Sequence, residues 1–262
     1  MAVSLLPSVL TPLQLRSSDK RADATLTRVP LFAGLAPADL DVLSSKLTRR
    51  RYARDEVILL QTDTSGDLYI LERGSVRIVL TSDDGREVVL ALLGPGEFFG
   101  ELSLLDGKPG HADVLAQEDC SLMRLKRDDF RAFLRSQVDV AEKLLAVMSS
   151  RLRDTDGLVY DTTFRDVPNR LARAIFKLAA DHGRREADGI VIGLRLTQED
   201  LAAMIGSSRV SINRYLKGWE REGWLIIKRG VIKLLQPGEL WSHYHLGQAA
   251  AAEASRWVSA TG

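Results

Sequence analysis

Cysteine and histidine are scarce in this chain of 262 residues, which contains one Cys and four His. A single cysteine excludes an internal disulfide framework, a Cys-rich zinc site and a four-cysteine iron–sulfur cluster. Long apolar runs are also missing, because stretches such as Val88–Leu93 fall far short of the roughly 18 residues that a membrane span needs. The N-terminus has no basic start followed by an apolar stretch, so a secretory signal is not expected. These absences predict a cytoplasmic protein without a metal site.

The charges are unevenly distributed, although the net charge is only +1. Residues 1–163 carry 21 Lys and Arg against 25 Asp and Glu, whereas residues 164–238 carry 14 against 8. A basic segment that follows an acidic one indicates that the second part meets a polyanion. A chance excess on a solvated face is the alternative that charge alone leaves open. The chain also lacks a paired nucleophile and base or clustered carboxylates, so we do not expect an enzyme.

The period of the apolar residues changes along the chain. Between residues 49 and 125 short β-rich runs are separated by Gly, Pro or Asp, a pattern typical of an antiparallel β-barrel or sandwich. The predicted strands are Val57–Leu60, Leu68–Leu71, Val76–Leu80, Glu87–Leu93, Ala112–Ala116 and Ser121–Leu125. From Asp128 the period becomes helical, which makes the whole an α+β protein.

Seven positions of this helical stretch advance alternately by three and four residues, the heptad spacing of a helix that pairs with a partner helix. The seam consists of Val138, Ala141, Leu145, Met148, Leu152, Thr155 and Val159. The alternative is a helix packed on its own barrel, but such a face is usually wider than a strict heptad seam. We therefore predict a homodimer, although Gly157 within the seam weakens the helix by about 1 kcal/mol relative to Ala.

Two short helices joined by a turn are predicted within the basic segment. The first begins after Thr197, an N-cap residue followed by acidic residues, and ends at Gly206. The second begins after Ser208, and one of its faces is apolar. That face consists of Ile212, Leu216 and Trp219. Two helices with a short glycine-containing turn form a helix-turn-helix.

The opposite face of the second helix suits the major groove of DNA. Arg209 and Arg214 can each bind guanine through two hydrogen bonds, Asn213 can bind adenine, and Val210 can contact a thymine methyl. Two strands around a basic turn follow from Trp224 to Leu234 and predict a wing. The residues predicted to contact phosphates are Thr197, Ser208, Ser211, Lys217, Lys228 and Arg229. A helical hairpin with a solvated basic face is the alternative, but cap, turn, face and wing together favour DNA binding.

In this order, the barrel, the long helix and the winged helix-turn-helix resemble the Crp/Fnr superfamily of bacterial transcription regulators. Two motifs carry the resemblance: Gly94–Asp106 is similar to the family's phosphate-binding cassette, and Leu196–Leu225 to its DNA-reading motif. The resemblance implies a jelly-roll-like sensor domain, a double-stranded DNA operator and RNA polymerase as partners. The predicted division is a flexible arm (1–27), an effector domain (28–135), a dimerisation helix (136–163), a winged helix-turn-helix (164–238) and a C-terminal tail (239–262).

The resemblance also implies an effector pocket for a nucleotide-like ligand. The corresponding positions are Gly100, Glu101, Leu102, Ser103, Gly110, His111, Thr155 and Asp156. In cyclic-AMP-binding members the cassette's Gly and Glu, here Gly100 and Glu101, contact the ribose. Glu101 could instead bond the amides of its own loop, and both roles stay open.

An Arg-Ser pair binds the phosphate in those members, and it is missing here. The pair falls on Gly110-His111, or on His111-Ala112 if the loop is counted one residue longer. An anion that leaves water without a charged donor to replace the lost solvation binds poorly, and Arg is the best such donor. In the dimer helix Thr155 matches the family's Thr, whereas Asp156 replaces a Ser. We therefore expect operator binding that does not require cyclic AMP.

Other sensor chemistries of the superfamily need ligands that this chain hardly offers. An iron–sulfur sensor needs several cysteines, and this chain has one. A haem sensor needs side chains that bind the iron, and the barrel domain offers only His111 and Cys120 for that role. Cys120 is read as a small structural residue rather than a redox switch, and His111 as a loop residue rather than a ligand. The sequence therefore predicts a homodimeric, sequence-specific DNA-binding regulator. The alternative is a nucleotide-binding signalling module that does not read DNA.

Overall fold

The computed structural model describes residues 25–244, which form two compact units. One unit contains residues up to 76 together with 95–144, and the other contains 77–94 together with the residues from 145. The helices are α1 (Pro37–Ser45), α2 (Glu101–Asp106), α3 (Arg127–Ser136), α4 (Val138–Phe164), α5 (Val167–His182), α6 (Gln198–Ile205), α7 (Arg209–Arg221) and α8 (Pro237–His243), preceded by a 3₁₀ turn at Pro30–Phe32. The strands are β1 (Thr48–Tyr52), β2 (Val57–Leu59), β3 (Leu68–Arg73), β4 (Val76–Thr81), β5 (Glu87–Leu93), β6 (Phe98–Phe99), β7 (Asp113–Ala116), β8 (Cys120–Leu125), β9 (Gly183–Glu186), β10 (Gly189–Ile192), β11 (Leu225–Lys228) and β12 (Val231–Leu234).

Short antiparallel strands build the first unit. One sheet has the order β1-β8-β3-β6, in which Leu68 of β3 lies opposite Leu125 of β8 and Tyr69 opposite Phe99 of β6. Strand β2 pairs with β7 beside it. The side chains of β3 and β8 are mostly buried, and they supply much of the core of this unit. The sheets are open rather than closed into one barrel, and the jelly-roll-like prediction is confirmed.

Asp67 ties several elements of this unit together. Its buried carboxylate accepts from Nε of Arg124 at 2.6 Å, and it also accepts from the backbone N–H of Arg127 at 2.9 Å. The second bond satisfies a donor that the first turn of α3 leaves unpaired. The carbonyl oxygen of Asp67 lies 2.2 Å from the place where a Cβ of Gly100 would be, and Gly100 has a φ of 90°. A glycine is therefore required where the chain enters α2.

The second unit contains the helix-turn-helix and a four-stranded sheet of order β11-β12-β10-β9. Strands β9 and β10 lie in the basic segment and were not predicted. The β4–β5 hairpin belongs to this unit as well, since β5 contacts α6 and Nε2 of His182 lies 3.2 Å from the carbonyl oxygen of Leu92. The predicted effector domain (28–135) includes this hairpin, and that division stays a prediction.

Two predicted domain boundaries fall inside packed structure. Helix α8 crosses residue 238, and its Trp241 ring packs edge-on against Phe176 with centroids 5.0 Å apart. Just beyond it, the hydroxyl of Tyr244 accepts from Nε1 of Trp219 at 2.9 Å. At the other end, Leu26 is fully buried although it lies in the predicted arm. Residues 1–24 of the predicted arm and residues 245–262 of the predicted tail lie outside the described residues.

Replacing Asp67 with Ala should destabilise the first unit by about 2–3 kcal/mol, because hydrogen bonds to a charged group are lost and the Arg124 guanidinium keeps its burial. Urea unfolding followed by circular dichroism measures the change. Asp129→Ala is the matched control, since it removes a half-exposed aspartate whose ion pair with Lys46 spans 2.9 Å and contributes little. Equal unfolding midpoints for the two variants would contradict this role of Asp67.

Candidate DNA-reading surface and effector cassette

The helix-turn-helix is fixed by caps that the sequence indicates directly. Thr197 Oγ1 accepts from the backbone N–H of Asp200 at 3.0 Å, and Asp200 Oδ2 accepts from the backbone N–H of Thr197 at 2.7 Å. This reciprocal capping box holds the first turn of α6. Gly206 ends α6 with a φ of 61°, and Ser208 caps α7 by accepting from the N–H of Ser211 at 3.2 Å.

Helix α7 buries one face and exposes the other. The buried side chains are those predicted, Ile212, Leu216 and Trp219. On the outer face Arg209, Arg214 and Lys217 are exposed, and Val210 is 78% exposed. Asn213 lies half-buried at the edge of that face. The outer face therefore presents donors and one apolar group to solvent, as a major-groove reader would.

Three of the predicted base-reading side chains each contact a neighbour. Nε of Arg209 lies 3.0 Å from Oε1 of Glu199, and Nη2 of Arg214 donates to the hydroxyl of Tyr215 at 3.0 Å. Asn213 Oδ1 accepts from Nε2 of Gln198, which lies in the first turn of α6, at 3.1 Å. Sequence reasoning missed these contacts. The sequence does show a Gln and a Glu directly after the N-cap, at positions where their side chains can reach the next helix.

The wing turn places two cations at an exposed tip. Strands β11 and β12 pair with Lys228 opposite Val231. The two residues between them, Arg229 and Gly230, have φ values of 51° and 79°, as a tight two-residue hairpin turn requires. Lys228 and Arg229 are both exposed. The predicted wing is therefore present, with its charges directed away from the core.

The hydroxyls that cap α6 and α7 differ in the donors that remain for a phosphate. Thr197 donates its hydroxyl proton to Asp200 at 2.7 Å while accepting from the N–H of the same residue, so it has no donor left for a phosphate. A phosphate contact by Thr197 requires this hydroxyl to release Asp200, and it stays a prediction. Ser208 donates to the hydroxyl of Ser211 at 3.0 Å, which leaves the Ser211 proton available to an outside acceptor. Both serines stay phosphate-contact predictions.

The phosphate-binding cassette contains buried side chains, and the loop that follows it, up to residue 111, is mostly exposed. Glu101 and Ser103 are buried on α2, whereas Leu102 is 40% exposed. Gly110 donates its N–H to the carbonyl oxygen of Asp63 at 2.9 Å. A Cβ on Gly110 would lie 2.9 Å from the carbonyl oxygen of Leu60, which is too close for any side chain without a shift of the loop. The position where relatives would carry a phosphate-binding Arg is thus built for glycine.

The two basic residues of this loop, Lys108 and His111, are exposed. Cys120 is buried, and burial raises the pKa of its thiol to about 11. A thiol with such a pKa stays protonated near neutral pH and is a poor nucleophile. Within residues 25–244, no group of three His, Cys, Asp or Glu side chains could hold a metal ion. In the same range, no helix combines the length and apolarity of a membrane span.

Helix α4 carries an exposed apolar stripe at the predicted seam. Val138, Leu145, Leu152 and Val159 are between 61% and 66% exposed. Ala141 and Met148 are half-buried, and the remaining seam residue, Thr155, is exposed, as is Asp156. Thr155 Oγ1 donates back to the carbonyl oxygen of Arg151 at 3.0 Å. The other face near the start of α4 buries Val140 and Leu144 in the first unit. The stripe is therefore a second apolar face that the described chain leaves open.

Comparison with known domains defines the class of protein. The cyclic nucleotide-binding domain family matches residues 49–137, and the Crp-like helix-turn-helix domain family matches residues 169–242. A protein with these two domains in this order is a regulator with a sensor domain and a DNA-binding domain. The chain belongs to the Crp/Fnr family of DNA-binding transcription regulators.

Relatives along most of the chain agree with this assignment. The cyclic AMP receptor protein of Thermus thermophilus is 38% identical over 78% of this chain and 92% of its own length. The CRP-like cAMP-activated global transcriptional regulator of Mycobacterium tuberculosis is 31% identical over 78% of this chain and 91% of its own. Among solved structures, the c-di-GMP-responsive global regulator CLP of Xanthomonas campestris is 27% identical, with a TM-score of 0.62 over 76% of this chain and 99% of that one.

Proposed function

We propose that this regulator works as a homodimer that reads a two-fold-related DNA site and does not need cyclic AMP to bind it. The observation that carries the dimer is the exposed stripe on α4. Four apolar side chains spaced seven residues apart form one line along a helix. Exposed apolar lines of this kind mark interaction surfaces. A second copy of the same helix covers the line best, because a two-fold axis brings each seam residue against its own equivalent.

In the complex, α7 would enter the major groove and the wing would follow the phosphates. The base-reading roles belong to Arg209, Val210, Asn213 and Arg214. The phosphate contacts belong to Ser208, Ser211, Lys217, Lys228 and Arg229. Val210 replaces a Glu found at this position in many family members. Because Val offers no acceptor for the amino group of cytosine, we expect a different base preference at that position.

Regulation would act through the spacing of the two recognition helices. Both can enter the groove at once only if they lie about 34 Å apart. A change in the dimer helix and in the Thr163–Pro168 break would alter that distance. The proposed division keeps an effector domain at 28–135, a dimerisation helix at 136–163 and a DNA-binding domain from 164 that includes α8. RNA polymerase stays a predicted partner, with no described surface assigned to it.

The loop after the cassette bears on whether cyclic AMP is the effector. Two relatives are cyclic AMP receptors or cAMP-activated regulators by name, so the family resemblance alone favours that ligand. Against it stand the glycine at residue 110 and the close approach of the Leu60 carbonyl oxygen, which together leave no room for a phosphate-binding side chain at that position. The relative CLP is described as c-di-GMP-responsive, so ligand identity varies among relatives of this chain. A different nucleotide-like effector, or a dimer already in its DNA-binding state, fits these observations.

Placing Glu at both Leu145 and Leu152 should abolish dimerisation and DNA binding together, because four carboxylates would meet along the seam. Sedimentation velocity measures the association state, and a gel-shift assay measures DNA binding. The control is Val42→Glu, which puts the same charge on a 53% exposed valine of a different helix, α1. Sedimentation of the doubly substituted protein as an intact dimer would remove the basis of the proposal.

Arg214→Ala should cost about 1–3 kcal/mol on the specific site and relax the preference at one base pair. Lys228→Ala should instead weaken binding to all sequences alike and reduce the slope of log K against log salt by about one, since a phosphate contact carries no sequence information. Salt titrations on specific and random duplexes separate the two effects. If Arg214→Ala lowered both affinities equally, its base-reading role would be wrong.

Cyclic AMP should bind weakly or not at all, and it should leave operator affinity unchanged. Titration calorimetry gives the first quantity, and operator binding with and without the nucleotide gives the second. The physical reason is that residue 110 offers the phosphate no guanidinium, and the N–H of Gly110 already donates to the carbonyl oxygen of Asp63. Micromolar affinity combined with a large gain in operator binding would contradict this prediction and would assign the missing charge to another cation, such as Lys108.

A further inference from the structure

The ion pair between Glu199 and Arg209 joins the two helices of the helix-turn-helix at the reading surface. Glu199 lies in the first turn of α6, and Arg209 is the first residue of α7. Their contact runs between Oε1 and Nε at 3.0 Å, and both side chains are more than half exposed. A pair this exposed adds little to the stability of the fold. The pair does, however, limit the directions in which the Arg209 guanidinium can point.

The atoms used in this contact matter for base recognition. A guanidinium has five N–H donors in a planar fork, and the Glu199 carboxylate lies against the Nε end of that fork. Guanine presents O6 and N7 side by side in the major groove, and an arginine binds both through parallel hydrogen bonds. A carboxylate at the Nε end therefore restrains the arginine without using the two terminal nitrogens that guanine needs.

The carboxylate itself stands on a rigid support. The capping box of Thr197 and Asp200 fixes the backbone of the first turn of α6, with three hydrogen bonds between 2.7 and 3.0 Å. Asp200 is buried beneath this turn. Arg209, by contrast, begins its helix and has a long side chain, whose immobilisation on binding costs conformational entropy. A neighbour that limits its rotamers before DNA arrives reduces that cost.

We propose that Glu199 is a positioning residue that aims Arg209 at one guanine and thereby sets the sequence preference of this regulator. The negative charge has a second effect, since it repels phosphates and so discourages Arg209 from settling on the backbone of a wrong site. Glu199 thus improves discrimination between sites while lowering the affinity for DNA in general. This inference rests on the proposed DNA-reading role of Arg209 and adds the residue that governs it.

The test compares variants on DNA sites selected by the wild-type protein from a random duplex library. Discrimination at each base pair is measured by competition against singly substituted sites. Arg209→Ala should lose discrimination at one guanine. Glu199→Met, which has a similar length but no acceptor, should lose roughly three- to tenfold at the same base pair. Glu199→Gln should retain most of the discrimination, because its amide oxygen can take the place of the carboxylate oxygen that contacts Nε. Both Glu199 variants should bind random DNA more tightly.

Glu186→Gln is the matched control. It removes one negative charge and two ion pairs, with Arg184 and Lys233, from the same unit but away from α7. It should leave the discrimination at every base pair unchanged, which separates loss of charge from loss of positioning. Unchanged melting temperatures of the Glu199 variants would support a role outside folding, whereas a loss of discrimination matched by unfolding would overturn it.

Four further results would contradict the inference. Full discrimination by Glu199→Met, with loss in Arg209→Ala, would overturn the positioning role and leave the reading role intact. Loss at a base pair other than the one that Arg209 reads would show that Glu199 reads a base of its own. Absence of any sequence preference in the wild-type protein, or full discrimination by Arg209→Ala, would overturn the proposed reading role itself and this inference with it.

Discussion

A buried carboxylate at the end of α4 holds the long helix against the helix that follows it. Asp161 accepts from Nε of Arg173 at 2.6 Å, and Nε of Arg165 lies 2.9 Å from its other oxygen. Two turns earlier on α4, Asp154 pairs with Lys177 of α5 at 3.0 Å. Removal of Asp161 would leave two partly buried guanidinium groups without their counter-ion, which is strongly unfavourable. The break at residues 165–166 is therefore spanned by charge pairs, and any movement of α4 at this end is passed to α5.

The same principle, a short polar contact that fixes an element before it meets a ligand, recurs in the helix-turn-helix. Leu171 and Ile175 of α5 are fully buried in the core of this unit, so α5 is part of the support for the reading surface. The capping box then fixes the first turn of α6, and Glu199 extends from that turn to Arg209. Recognition residues on rigid elements with ordered neighbours lose less freedom on binding. From Leu145 onward, α4, the break at residues 165–166 and the outer face of α7 are in this way linked by neighbouring contacts within one unit.

What the sequence predicts well here is local. Caps at Thr197 and Ser208, the glycine stop at Gly206 and the heptad spacing of α4 depend on residues within one or two turns, and all of them appear in the structure. Contacts between residues distant along the chain were missed, because they depend on how elements pack. The pairing of Asp67 with Arg124 spans 57 residues, and that of Glu199 with Arg209 crosses from one helix to the next. Strand β9 was missed because its Gly-Arg-Arg-Glu sequence has no apolar alternation.

The central claim is that two copies of this chain present two recognition helices to one DNA site. Hydroxyl-radical footprinting on a selected site, with the number of bound protomers measured in parallel, tests it most directly. The account predicts two protected segments related by a two-fold axis, with centres about 34 Å apart and two protomers bound. A single protected segment occupied by one protomer would contradict it.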